Sequence, residues 1–235
     1  MTPDLASLPA TSPLHVADVG TLPYRTAWDT QLRFHDEVAT GVHPGGVLML
    51  VEHPPVITMG RRAGSPGHLL ASHAMLAARG VELVETDRGG DITFHGPGQL
   101  VAYPILPLNT YHLNLHAYLR LLEQVIIDTL ARFAIPAFRD PFPACATGVW
   151  VGSPDNPAKI TAIGIKVRRW ITLHGLALNV STDLSFFNLI NPCGLSRPVT
   201  SMQKILAAHC PPMADVKTAL ADVFQSHLKN KTQPA

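Results

Sequence analysis

Cysteine is scarce in this chain: three residues in 235, at positions 145, 193 and 210, widely spaced and without a CxxC pair. An odd number at such spacing excludes a disulfide framework and a cysteine-based zinc cluster, and suits a reducing compartment. Long apolar runs are missing as well. The longest, such as VLMLV at 47–51, fall far short of the roughly 18 residues that a membrane span needs. The opening MTPDLASLPATSP has neither the basic start and apolar core of a signal peptide nor the arginines of a mitochondrial presequence, and it reads as a loose, proline-rich tail over residues 1–20. Strong charge of either sign is absent too. With 15% charged residues and a net charge of +1, a general nucleic-acid binder is excluded, and an apolar fraction of 46% excludes a disordered chain. What remains is a single globular domain over residues 21–235 with a small C-terminal helical part, expected in the cytoplasm, with no membrane and no nucleic-acid partner.

The twelve histidines invite a metal reading, and His112 with His116 has helical i, i+4 spacing. No third ligand follows in a recognisable pattern, so no metal site is expected.

Periodicity divides the rest. YRTAWDTQLRFHDEVAT (24–40) suits an amphipathic helix, and VLMLVEH and PVITMG suit short buried strands parted by Pro54 and Pro55. HLLASHAMLAARG reads as a helix stopped by Gly80, and VELVETD as a strand. DITFH and LVAYPILPL flank a Gly-Pro-Gly turn in the manner of a hairpin. The strongest helix is 116–134, its stripe running Leu119, Leu122, Val125, Ile126, Leu130, Phe133. Strands are expected at 148–152, 159–167 and 171–180, the last two joined by Arg-Arg-Trp and so antiparallel, and two helices close the chain. Helices scattered among antiparallel hairpins, without regular strand-helix alternation, indicate an α+β fold: a mixed, largely antiparallel sheet with flanking helices.

Three stretches could carry chemistry. RGGDITFHGPGQLVAYP (88–104) is glycine-rich, and Arg88 and His95 could act beside a backbone that approaches a ligand closely; two turns flanking a strand would read the same way. The stretch lacks the GxxxxGK[ST] spacing of a phosphate loop, so an apolar or carbonyl-bearing ligand fits better. Cys193 lies between Pro192 and Gly194, which suits either a restrained nucleophile or a small filler. Its activation requires a base or cation, and His95, His174 and Lys159 are the candidates. Lys159 opens an apolar strand, so its ammonium either reaches solvent or is held for a purpose. Arg61, Arg62, Arg168 and Arg169 are equally consistent with solvated loops and with a surface that meets acidic proteins.

Taken together, RGGDITFHGPGQLVAYP at 88–104, KITAIGIKV at 159–167 with HGLALNV at 174–180, and INPCGL at 190–195 resemble the lipoyl(octanoyl) transferases of protein lipoylation, in order and across residues 24–205. The resemblance implies a fold like the biotin/lipoate protein ligase catalytic domain. It implies transfer of an octanoyl group from octanoyl-acyl-carrier protein to a lysine of lipoyl domains, those of 2-oxo acid dehydrogenase complexes or the glycine cleavage H protein, with no cofactor. Cys193 is then the acyl-accepting nucleophile and Lys159 the residue that lowers its pKa. The acyl site would be lined by Arg88, Gly89, Gly90, Asp91, Ile92, Thr93, Phe94 and His95, by Ala162, Ile163 and Gly164, and by Gly175, Leu176 and Ala177. An ATP-dependent lipoate or biotin ligase and a non-catalytic docking module are the competing readings; the former needs no cysteine nucleophile, and the GRGRxGR loop of its biotin branch is missing.

Overall fold

The computed structural model describes residues 13–62, 65–140, 147–191 and 197–232. Its frame is a seven-stranded sheet in the order β1-β2-β6-β10-β9-β8-β7, formed by β1 (His15–Thr21), β2 (Val47–Glu52), β6 (Gln99–Ile105), β7 (Ala137–Phe138), β8 (Gly148–Ser153), β9 (Asn156–Arg168) and β10 (Ile171–Asn179). Only β1 and β2 run parallel in it; every other neighbouring pair is antiparallel. A second sheet of three strands, in the order β4-β3-β5, is built from β3 (Val56–Met59), β4 (Glu82–Glu85) and β5 (Thr93–His95). The α+β expectation is met.

The central strands are buried on both faces. Residues Gln99–Ile105 and Ile171–Asn179 are buried throughout, consistent with near-continuous apolar runs rather than alternation. One face carries α1 (Tyr24–Ala39), whose Ala27, Phe34 and Val38 pack on Val47, Met49, Val51, Val101 and Tyr103. The other carries α3 (Leu115–Ala131), capped by the Asn114 side chain, which accepts from the Ala117 N–H. The long α5 (Met213–Thr232) lies over α3, and its Val216, Leu220, Val223, Phe224 and Leu228 join that same core. The C-terminal helix therefore adds a layer to the main core and forms no separate piece.

Three sequence expectations are corrected. Residues 15–20 are not loose tail: they belong to β1, whose parallel pairing with β2 satisfies their backbone groups. The arms around Gly-Pro-Gly do not pair with each other. His95 ends β5 in the small sheet, paired with Val56, whereas Gln99 begins β6 in the large one, paired with Asn179, so the turn carries the chain between sheets. The helix read from residue 68 is a 3₁₀ turn at Ser65–His68 followed by the short α2 (His73–Ala78), started by the Ser72 cap. The β9–β10 hairpin appears as expected, with Arg169 and Trp170 at φ 52° and 60° in the two-residue turn, a conformation that usually selects Asn-Gly.

Candidate active site

The first two sequence blocks meet where the small sheet abuts β9. The Gly89 N–H donates to the Ile165 carbonyl at 2.8 Å, laying the Arg-Gly-Gly segment across that strand. Gly164 and Gly175 are cross-strand partners. A Cβ at Gly164 would sit 2.8 Å from the Gly89 carbonyl oxygen, and one at Gly175 would sit 2.2 Å from the Ala102 carbonyl oxygen. Any side chain at either position would push these layers apart, which gives a physical reason for glycine there. Arg88, Gly89, Gly164 and Gly175 thus gather at one seam. Ala162, Ile163, Leu176 and Ala177 flank them along the β9–β10 ladder, while Ile92 and Phe94 turn into an apolar cluster with Ile57, Leu76 and Leu189.

A chain of buried hydrogen bonds with fixed polarity runs from this seam. The Arg88 guanidinium donates to the Thr58 carbonyl at 2.6 Å and to Thr58 Oγ1 at 2.9 Å. Thr58 is itself fully buried, so its hydroxyl proton goes to His95 Nε2 at 3.3 Å. His95 Nδ1–H donates to Gln99 Oε1 at 2.7 Å, and Gln99 Nε2 donates to the Phe94 carbonyl and to Asn179 Oδ1. Asn179 Nδ2 donates to the Thr200 carbonyl at 3.0 Å, and the Thr200 N–H donates to the Lys159 carbonyl at 2.9 Å. With Nε2 accepting, His95 has to be neutral. Burial, with the Arg88 guanidinium and the proton His53 would carry in acid both opposing a second positive charge, holds its pKa well below the ordinary value. His53 is similarly fixed: Nδ1–H donates to the Leu22 carbonyl, Nε2 accepts from the Tyr103 hydroxyl, and burial lowers its pKa to about 4. Tyr24, stacked on His95, is pushed up to about 12 by burial.

His174 Nε2–H donates to Asp87 at 2.7 Å, and Lys166 pairs with the other carboxylate oxygen. Burial raises the Asp87 pKa, but the hydrogen bonds from Lys166 and His174 outweigh it and hold the carboxyl below its usual range. Burial lowers that of His174 against the pull of Asp87. Both histidines offered by the sequence as thiol-activating bases are therefore committed to buried, structural hydrogen bonds.

Lys159 differs. Its Nζ lies over the Trp150 ring, 4.7 Å from the centroid, and the Arg197 guanidinium lies 5.0 Å from the same centroid. Gly148 makes room for it: a Cβ there would approach Lys159 Cε to 3.2 Å and Nζ to 3.4 Å. The Lys159 N–H donates to the Pro198 carbonyl at 2.8 Å, so residues 198–200 form a short bridge along β9 at the lysine. Asn191, on the other flank of INPCGL, donates its N–H to the His68 carbonyl at 2.8 Å. Pro192, Cys193, Gly194, Leu195 and Ser196 lie outside the described residues, as does Cys145. Cys210 is half-buried with its thiol pKa raised by burial, in keeping with a filler role. Among the described residues no group of three metal-ligating side chains comes together, and no helix is long and apolar enough to cross a membrane.

Thr58, Gln99, Asn179 and His68 were not singled out from sequence. For Gln99 and Asn179 a signal existed, since each puts an amide into an otherwise apolar strand; Thr58 and His68 carried none.

Comparison with known proteins follows this geometry. The family model for the lipoyl protein ligase A/B catalytic domain matches residues 23–225. A Gloeobacter violaceus protein named octanoyltransferase is 48% identical over 186 residues, covering 79% of this chain and 78% of its own. A Chloroflexus aggregans octanoyltransferase is 46% identical over 209 residues, covering 88% and 91%. A solved bi-partite lipoate protein ligase from Thermoplasma acidophilum superposes with a TM-score of 0.69 at 15% identity, over 92% of this chain and 84% of that one, which establishes the shared fold. With the family model spanning nearly the whole chain and curated relatives at this identity, the chain belongs to the lipoyl protein ligase A/B catalytic-domain family.

Proposed function

We propose that this protein transfers an octanoyl group from octanoyl-acyl-carrier protein to a lysine of lipoyl domains, an early step of protein lipoylation. The observation that carries the reading is the identity of almost half the residues with proteins named octanoyltransferase, over most of both chains. Acceptors are the lipoyl domains of 2-oxo acid dehydrogenase complexes or the glycine cleavage H protein, reached in the cytoplasm. Arg61 and Arg62 are exposed beside the Arg-Gly-Gly segment, to whose carbonyls their own N–H groups donate, and they suit the approach of an acidic carrier.

Cys193 is the nucleophile and Lys159 its activator. The Cys193 sulfur attacks the donor thioester carbonyl, a tetrahedral intermediate collapses, the carrier thiol leaves, and an octanoyl-Cys193 thioester remains. The acceptor amine then attacks that thioester, the C–S bond breaks, and the Cys193 sulfur leaves as the thiol with one of the amine's protons. Thioester exchange is nearly balanced and conversion to an amide runs downhill, so the cycle needs no ATP. Two features support the assignment of Lys159. The flank of the cysteine segment, residues 198–200, is hydrogen-bonded to the lysine's own backbone, and the Lys159 ammonium, on the Trp150 face beside an Arg197 that is ion-paired with Asp140, is a cation that favours the thiolate form of a cysteine brought near it. The segments 88–95, 162–164 and 175–177 line the acyl site in this reading, held together by the glycine seam.

Intact mass after incubation with octanoyl-acyl-carrier protein and no ATP tests it. The expected result is an octanoyl adduct on the wild type, none on Cys193→Ala, and a greatly slowed one on Lys159→Ala. Product formation that needs ATP and free octanoate and survives Cys193→Ser would favour a ligase instead.

A further inference from the structure

We infer that His68, oriented by Asp91, is the base that removes the acceptor lysine's proton in the second half-reaction. The inference rests on the acyl-transfer reading above and adds a residue to it.

Asp91 is a buried carboxylate, its side chain 1% exposed, standing in the Arg-Gly-Gly-Asp segment. One oxygen accepts the Ile92 N–H at 2.7 Å; the other meets His68 Nδ1 at 2.7 Å. A carboxylate only accepts, so Nδ1 carries a proton, and in its neutral form the ring has its lone pair on Nε2. That is the arrangement in which a carboxylate fixes the tautomer and orientation of a catalytic imidazole. Among the described residues no partner meets Nε2, and the His68 side chain is 28% exposed, so protons can pass to water. His95, His53 and His174 each have an Nε2 hydrogen bond to a protein side chain in a buried site. His68 is also tied to the reacting segment, because its carbonyl accepts the Asn191 N–H, two residues before Cys193, and Leu69 bridges Ile190.

Proton accounting gives such a base a task. A lysine amine reaches neutral water as its ammonium, with a pKa of about 10.4. When the C–N bond forms and the C–S bond breaks, that nitrogen loses two protons. One ends on the departing Cys193 sulfur and the other goes to solvent. Lys159, held on Trp150, serves the sulfur. His68 Nε2 takes the other and hands it to water, the kind of exchange for which imidazole is suited near neutral pH.

The two half-reactions separate the claims. Wild type, His68→Ala and Asp91→Asn are loaded with octanoyl-acyl-carrier protein, adduct formation is followed by mass, and the isolated octanoyl enzyme is then mixed with a lipoyl domain. For His68→Ala we expect loading within about threefold of wild type, transfer slowed about a hundredfold near pH 7, recovery as pH approaches the lysine pKa, and partial rescue by added imidazole. Asp91→Asn, whose residue also belongs to the segment assigned to the acyl site, should slow transfer more than it slows loading. Unchanged transfer in His68→Ala overturns the inference, and so does an equal loss in both half-reactions without imidazole rescue. Absence of an adduct on the wild type overturns the acyl-transfer reading and this one with it.

Discussion

His95 and Lys159 stand at different points of one hydrogen-bond chain and occupy opposite chemical settings. Around His95 every polar group is answered: Arg88, Thr58, Gln99 and Asn179 donate and accept in one direction, and burial keeps the imidazole neutral. Around Lys159 the strand is half-buried, the ammonium rests on an indole face with Arg197 beside it, and a glycine at 148 leaves room for its tip. The first region spends its polar groups on holding two sheets in register. The second places a charge beside the chain that leads to Cys193. A histidine in a family-matching segment is thus scaffold here, and in the proposed function it is a lysine in an apolar strand that carries the chemistry.

Removing the charge from the open region should give the largest effect. Lys159→Ala is expected to slow octanoyl loading about a thousandfold, within the range for an activating base, while the loss of its cation–π contact costs about 1 kcal/mol or less in stability. Loading rates by mass and a urea melt decide this, and a fast adduct on Lys159→Ala would erase the contrast. Acid attacks the other region. His53 has a folded pKa of about 4 against an ordinary 6.5, so between those values the unfolded chain binds more protons and the fold loses stability as pH falls. The contribution is complete above about pH 6.5, and its loss amounts to about 3 kcal/mol once pH reaches 4, with His95 adding in the same direction. Urea midpoints from pH 7 to 4 measure it. His53→Gln, able to donate to the Leu22 carbonyl and accept from Tyr103, should flatten the slope.

The sequence was most legible where local pattern and pairing coincide. The stripe from Leu122 to Leu130 does lie against the core, and the strands either side of Arg-Arg-Trp do pair, because a two-residue connection leaves an antiparallel pair no other neighbour at hand. It misled where two strands flank a tight turn yet enter different sheets, as at His95 and Gln99, since strand partners are chosen by burial over long separations. The gathering of Arg88, Gly89, Gly164 and Gly175 came from the family resemblance and has a steric basis visible only once the layers are stacked. The connectivity of the polar chain was not legible, although Arg88 and His95 stood out and amides in apolar strands marked Gln99 and Asn179. Thr58, Gln99, Asn179 and Thr200 are far apart in sequence, and nothing local marks their donors and acceptors as complementary.

That chain offers the next test. Asn179→Leu keeps roughly the volume but strands the Gln99 amide and the Thr200 carbonyl, both buried, at a cost of about 2 kcal/mol. Because the Thr200 N–H braces the Lys159 backbone, loading should also slow, by about tenfold or less. A thermal melt paired with loading kinetics separates the two. Lost stability with unchanged loading would show that the scaffold and the reactive corner are mechanically independent.

The smallest effect concerns the cysteines. Cys210 is half-buried where residues 207–209 turn before α5, its sulfur 3.9 Å from the Val180 carbonyl and 3.7 Å from that of Pro211, and burial raises its pKa. A thiol so placed is mostly protonated at neutral pH, so it is a poor acyl acceptor. Cys210→Ala should cost under about 1 kcal/mol and leave the mass and rate of the octanoyl adduct unchanged. Peptide mapping of the adduct reads out the same contrast directly. Label found on Cys210 would mean that acylation follows exposure of any thiol, and that the lysine corner confers no selectivity.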